Sequence, residues 1–216
     1  MVEITAVELQ AAEKIFGDRL GLAQRYVEHL ATSGTERGLI GPREVPRLWN
    51  RHVLNCAVIE SAIAHGSHVA DVGSGAGLPG LCLAIARPDL ELTLIEPLER
   101  RVIWLQEVVD DLGLENVTVM RTRAELAVGM VSADVVTARA VSALTKLAGL
   151  TIPLLDGKGE VVAIKGRSAA EEIEQAAKVI RKLGGVETSV VVCGQDLLEE
   201  PTTVVRIVVN KQGKNA

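Results

Sequence analysis

Four glycines fall within the eight positions Gly73-Ser-Gly-Ala-Gly-Leu-Pro-Gly80. An apolar run, His68-Val-Ala-Asp-Val72, precedes them and reads as a strand; a second, Leu81-Cys-Leu-Ala-Ile-Ala86, follows and reads as a helix. Strand, tight glycine turn and helix in that order make a loop that can cradle a nucleotide-bearing ligand. Glycine lets the backbone take positive φ and lets a ligand approach it closely. Pro79 suits the first turn of the following helix, where its missing N–H costs nothing.

The glycines alone do not name the ligand. Gly75-x-Gly77-x-x-Gly80 satisfies a dinucleotide fingerprint, which is a weak signal by itself. Asp71, two places before Gly73, discriminates. A carboxylate at the strand end would repel a pyrophosphate and would suit a ligand carrying an ammonium group. The pattern Asp71-x-Gly73-x-Gly75-x-Gly77 resembles the first motif of methyltransferases that use S-adenosylmethionine (SAM), whose methionine half has such an ammonium. Glu96 closes the next apolar run, Glu91-Leu-Thr-Leu-Ile-Glu96, 23 residues after Gly73. An acid about 20 residues past the loop hydrogen-bonds ribose hydroxyls in nucleotide-binding βαβ units. SAM and NAD share that ribose, so Glu96 supports the cofactor class without separating them. An NAD-dependent oxidoreductase stays open as the alternative, against which stand Asp71 and the lack of a hydride-transfer constellation. A bare strand–helix turn without ligand is the other reading.

A chain of 216 residues makes one or two domains with a real core, and 48% hydrophobic content excludes a disordered chain. No apolar run reaches membrane-spanning length, and Met1-Val-Glu-Ile-Thr-Ala6 has neither a basic region nor an apolar signal core, so a cytoplasmic protein is expected. Cys56, Cys82 and Cys193 are scattered and odd in number, which argues against a disulfide framework or a zinc site. His65-x-x-His68 has no partnering ligands nearby, and no metal is expected. The net charge of −5 points away from a general nucleic-acid surface. Aromatics are 2% of the chain, too few for an extended base-stacking platform. If RNA is the substrate, positive charge must be concentrated locally.

Residues 1–66 read as a helical extension, and residues 67–216 as the cofactor-binding domain. The extension is broken over 32–46 by Gly34, Gly38, Gly41, Pro42 and Pro46, a pattern that predicts a long mobile loop. A helix is expected from about Arg47 to Ala64, with Trp49, His52, Val53 and Cys56 on one face. Beyond it, β-rich runs near 68–72, 91–95, 116–120, 134–138, 159–165, 186–193 and 203–209 alternate with helical runs, except between the last two. Such alternation predicts a largely parallel sheet covered by helices on both faces. The short gap between the last two runs leaves no room for a helical crossover, so they should pair antiparallel or through an insertion. Ser168-Ala-Ala-Glu171 has the form of a capping box opening a helix that Gly184-Gly185 ends.

Ligands of open α/β sheets sit at the carboxyl ends of the parallel strands. Basic residues gather there. Arg100 and Arg101 follow the second strand, Arg121 and Arg123 the third, Arg139 the fourth, and Lys165 and Arg167 the fifth. A basic rim of this kind would position phosphates, with base-edge contacts specifying the target.

These segments together resemble the family of small-subunit ribosomal RNA (guanine-N7) methyltransferases, GidB. The resemblance rests on the Asp71–Gly80 loop with its Gly-Leu-Pro-Gly extension. Upstream it includes Arg51-His-Val-Leu-Asn55. Downstream it takes in Arg87-Pro88, Arg100-Arg-Val-Ile-Trp104, Leu114-Glu-Asn116, Arg123-Ala-Glu125, Ala138-Arg-Ala140 and Ile164-Lys-Gly166. It implies a class I SAM-dependent methyltransferase fold: a Rossmann-like α/β sheet of seven strands, one of the last two antiparallel. By position, Asp71, Gly73, Gly75, Gly77 and Leu78 would form the SAM loop. Glu96 would meet the ribose, Ala124 and Glu125 would flank the adenine, and Arg139 would reach the cofactor or an incoming phosphate. Arg100, Arg101, Arg123, Lys165 and Arg167 would face the substrate, 16S ribosomal RNA within the small subunit. The chain departs from the family at Val141, where an aromatic is frequent, and in lacking an Asn-Leu-Thr motif near its N-terminal helices.

Guanine N7 is a lone-pair acceptor on the major-groove edge and carries no proton at neutral pH. Its methylation needs no general base, in keeping with a chain that shows no nucleophile–base constellation. A non-catalytic ribosome-assembly factor that retains the fold is a further alternative. A target base would have to lean on Tyr26, Trp49 or an arginine plane. His52 admits both a packing role and a functional one.

Overall fold

The computed structural model describes residues 2–211. Its seven strands are β1 (His68–Val72), β2 (Glu91–Ile95), β3 (Val117–Met120), β4 (Val135–Arg139), β5 (Lys158–Ile164), β6 (Gly185–Cys193) and β7 (Thr202–Asn210). They form one sheet in the order β3-β2-β1-β4-β5-β7-β6. The first five pair in parallel, and β7 is inserted antiparallel between β5 and β6. All seven runs expected from the sequence are strands, and the final pair takes both expected features at once: antiparallel pairing and insertion.

The helices are α1 (Ala6–Phe16), α2 (Leu20–His29), α3 (Asn55–Ala57), α4 (Gly80–Ala86), α5 (Glu99–Leu112), α6 (Ala124–Ala127), α7 (Leu144–Thr151) and α8 (Ala169–Leu183). One apolar layer joins Val69, Leu92, Leu94, Val135, Val162 and Val204 of the sheet to α4, α5 and the helices before β1. The opposite layer joins Ala70, Val72, Val136, Ala138, Val161 and Ala163 to α6, α7 and α8. The period of two along each strand thus sorts the residues between two covered faces, as a buried parallel sheet requires. The same alternation turns Asp71, Thr137 and Arg139 toward the face that carries the N-terminal helices.

Three local expectations are corrected. The 32–46 stretch is largely helical: Leu30–Gly34 is a π turn and Pro42–Arg47 a 3₁₀ helix. It is tied down by Arg37–Glu107 (2.6 Å) and Glu44–His52 (2.9 Å). Trp104 of α5 is fully buried beneath it and donates its indole N–H to Ser33 Oγ at 2.9 Å. The helix expected over 47–64 is composite, with a π segment Leu48–Leu54, then α3, then a 3₁₀ segment Val58–Ala62. The capping box also moves. Ser168 makes no cap bond at α8, because its hydroxyl turns to Glu172 Oε1 (3.4 Å). The reciprocal box stands at α1 instead, where Thr5 and Glu8 satisfy each other's backbone N–H. Gly184 ends α8 in the left-handed conformation, as expected.

Candidate active site

Strand order reverses between β1 and β4, and the crevice beyond their carboxyl ends is where open α/β sheets bind ligands. The glycine loop leaves β1 into this crevice. Gly73, Gly75 and Gly77 all have positive φ (71°, 58° and 82°). A Cβ on Gly75 would meet only the Gly73 carbonyl oxygen, at 3.7 Å, so the loop is open at that point. Gly80 serves packing: a Cβ there would lie 2.3 Å from Leu94 Cδ2 and 2.8 Å from Asp71 Oδ2. Helix α4 begins at Gly80, with Pro79 in the cap position immediately before it.

Asp71 is fully buried. One carboxylate oxygen accepts the Gly80 N–H (3.2 Å) and the other accepts the Thr137 hydroxyl (3.2 Å), so it fastens the loop to β4. Burial raises its pKa to about 6, opposed by the Ser74, Gly80 and Thr137 hydrogen bonds. The ammonium-facing role expected for it requires a side chain exposed to the crevice; the observed contacts all lie beneath the loop.

Glu96 is 1% exposed and turns into the loop. Its Oε2 accepts the Gly75 N–H at 3.0 Å, Oε1 accepts the Leu98 N–H at 2.9 Å, and Arg101 stands 3.6 Å away. Ala124 is buried at the start of α6 and Glu125 beside it is exposed. Leu78 is buried under the loop, and Val141 lies over Gly73, its Cγ2 3.0 Å from where a Cβ would stand.

Arg139, at the end of β4, is half-buried and reaches across to the composite helix. It donates to His52 Nδ1 (2.5 Å), Cys56 Sγ (2.9 Å) and the His52 carbonyl (3.5 Å). Burial alone would raise the Cys56 thiol's pKa, but a hydrogen bond with Cys82 and the Arg139 charge together bring it below the usual value. Arg139 also lines a cleft of about 710 Å3 beside the crevice, together with Asn50, Arg51, Asn55, Lys165 and Arg167.

Of the basic rim, Arg100, Arg123 and Arg167 are exposed and carry no ion pair among the described residues. Arg121 is paired with Glu99 at 2.5 Å. Lys165 is committed inward, with its ammonium 2.8 Å from Glu172 Oε2 and 2.8 Å from the Ser142 carbonyl. Burial opposes ionisation of Glu172, but Lys165 and the Leu144 N–H hold its pKa below the ordinary glutamate value. Neither Tyr26 nor Trp49 can support a base: they are 0% and 3% exposed. Tyr26 instead donates its hydroxyl to the Ala76 carbonyl of the glycine loop at 2.6 Å. Sequence reasoning missed Glu44 and Asn50, and it assigned Tyr26 to the base rather than to the glycine loop. Arg51 and His52 stood in a segment resembling the family, and that was the available signal.

The family model for GidB, described as rRNA small subunit methyltransferase G, matches residues 19–201. Similar curated proteins carry the name ribosomal RNA small subunit methyltransferase G. The one from Paenarthrobacter aurescens is 90% identical over 216 residues, covering 100% of each chain. That from Streptomyces avermitilis is 54% identical over 203 residues, covering 94% of this chain and 85% of its own. Among solved structures, Aeropyrum pernix fibrillarin with bound S-adenosyl-L-methionine superposes with a TM-score of 0.53 at 19% identity. That match covers 73% of this chain and 75% of the fibrillarin, and the likeness is one of fold. The family match takes in α2 and the strands β1 to β6, and the chain belongs to the GidB family, rRNA small subunit methyltransferase G.

Proposed function

We propose that this chain transfers the methyl group of SAM to N7 of a guanine in 16S ribosomal RNA, acting on the small subunit in the cytoplasm. The observation that carries the reading is the convergence of Gly75 and Glu96 at the strand-order reversal, with a carboxylate held 3.0 Å from the loop N–H. Two features support the cofactor: the loop is open at Gly75, and Glu96, held by the Gly75 and Leu98 N–H groups, would meet the ribose hydroxyls. Gly73 and Leu78 would line the SAM loop, and Ala124 and Glu125 would flank the adenine. Among the described residues no helix is long and apolar enough to cross a membrane.

When bound, SAM supplies an electrophilic methyl on sulfur. The chain's own contribution is placement. Guanine N7 needs no base, so holding it in line with the methyl and sulfur can account for roughly 7–11 kcal/mol of barrier lowering. Arg51, Arg139 and Arg167 line the cleft at the crevice and suit RNA phosphates. With the nearby aromatics buried, a flipped base would rest on a guanidinium plane.

The deciding experiment supplies methyl-labelled SAM and small subunits that lack the modification, then cleaves the RNA chemically at 7-methylguanine. Label with a single cleavage site is the expected result. Binding of SAM without label in subunits or stripped RNA would overturn the substrate assignment.

A further inference from the structure

His52 lies between two groups of opposite sign. Its Nδ1 is 2.5 Å from Arg139 Nη2, and its Nε2 is 2.9 Å from Glu44 Oε2. A guanidinium has five N–H donors and no acceptor, so Nδ1 must be the accepting nitrogen. The neutral ring then carries its proton on Nε2 and donates it to Glu44, which can only accept when ionised. The three side chains form one directional chain, Arg139 to His52 to Glu44, with a single arrangement of protons. They come from three different elements: β4, the π segment Leu48–Leu54 and the 3₁₀ helix Pro42–Arg47.

Arg139 spends Nη1 on Cys56 and the His52 carbonyl, and one Nη2 proton on His52 Nδ1. It makes no other hydrogen bond among the described residues, so its Nε–H and second Nη2–H stay available on the guanidinium that lines the cleft. We propose that His52 is a positioning residue for methyl transfer: as the Nε2–H tautomer anchored by Glu44, it fixes the orientation in which Arg139 presents its remaining donors to an oxyanion of the bound reactants. The oxyanion is the cofactor's carboxylate or an RNA phosphate. This rests on the methyltransferase reading of the crevice.

The electrostatics agree with the geometry. His52 is 8% exposed, and burial lowers its pKa; the Glu44 hydrogen bond raises it, and Arg139 and Arg51 lower it further. The net direction is downward, so the ring stays neutral at physiological pH. Protonation would put a proton on Nδ1, facing Arg139, and eject the guanidinium. Glu44 is held below the ordinary glutamate range, chiefly by the same His52 hydrogen bond.

The test compares His52→Leu, which removes the acceptor, with His52→Asn, whose Oδ1 can take the place of Nδ1. Methyl transfer to small subunits, SAM affinity by calorimetry and thermal stability are read for both. His52→Leu is expected to lower kcat/KM at least tenfold, and His52→Asn to recover most of it, with melting temperatures alike. A loss confined to the RNA substrate identifies the oxyanion as phosphate; weaker SAM binding identifies the carboxylate. Equal losses in both variants would overturn the proposal, since packing alone would then explain them. An independent arm uses ¹⁵N-histidine NMR on the unaltered full chain, with His52→Leu assigning the signals. A neutral ring protonated on Nε2, titrating below the usual histidine range, is expected. A ring protonated on Nδ1 or charged at pH 7 overturns the proposal. If the unaltered chain binds SAM but methylates no RNA, the substrate reading fails, while the NMR and SAM-binding arms still decide this one.

Discussion

Asp71 carries a cost that depends on pH. Its folded pKa of about 6 lies above the unfolded aspartate value of roughly 3.9, so the folded state holds a proton that the unfolded state has lost between those limits. Stability from this group is therefore full below about pH 4 and is lost as pH rises through about 6. The shift corresponds to roughly 2–3 kcal/mol. Asp71→Asn removes the titration while keeping an oxygen for the Gly80 N–H. Denaturant unfolding of the two proteins from pH 4 to pH 8 should show the asparagine variant gaining relative to the unaltered chain. A constant difference would mean that Asp71 titrates normally. At Gly75 there is room for a side chain but a φ of 58°, which a β-branched residue resists. Gly75→Val should still fold, about 1–3 kcal/mol less stable, and lose SAM binding because the valine fills the open space above the loop. A folded variant with unchanged affinity would remove the loop from the cofactor site. The glycine positions were legible in the sequence because few other residues serve such a turn. The direction of Asp71 was not, since nothing local says whether a strand-end carboxylate turns to a ligand or to the backbone beneath it. The alternation of β1 and β4 could have told: Asp71 shares a face with Val69, and Arg139 with Val135, so both point toward the N-terminal helices.

At the scale of elements, the N-terminal helices act on the glycine loop through one hydroxyl. Tyr26 of α2 reaches the Ala76 carbonyl, and its burial raises the phenol's pKa well above the usual value, so the donor survives at alkaline pH. Tyr26→Phe deletes that bond and leaves a buried carbonyl unmet, which should cost about 1–2 kcal/mol. SAM affinity should fall by a few-fold as the loop loosens, measurable by calorimetric titration; unchanged affinity would make α2 a packing element only. Lys165 plays a similar part on the opposite side. It pins the Ser142 carbonyl, next to the Val141 that covers Gly73. Lys165→Ala is therefore expected to weaken SAM and RNA together. A loss restricted to RNA would show that its charge, rather than its grip on the loop, matters. The strands were readable from their apolar runs, and all seven were found. The helix over 48–62 was also expected, but its composite character and the 3₁₀ turn Pro42–Arg47 before it were not, because glycine and proline spacing marks where an α-helix breaks and is silent on whether the chain continues as a 3₁₀ or π turn.

The whole molecule is a sheet of seven strands between two apolar layers, and basic residues stand at or after the carboxyl ends of β2, β3, β4 and β5 although the net charge is −5. That distribution could be read from the sequence by counting which residues follow each parallel strand; how many of them are already paired could not, since pairing depends on contacts such as Lys165–Glu172 and Arg121–Glu99. The insertion of β7 between β5 and β6 has a further consequence, for synthesis. While the chain emerges from the ribosome, β6 appears before the strand that attaches it to the sheet, and the outer edge of β5 stays uncovered until residues 202–210 arrive. The sheet is therefore completed late, and a chain halted before Thr202 would present an unpaired edge to its neighbours. Such a truncated chain should aggregate during expression, where one halted after Asn210 stays in solution.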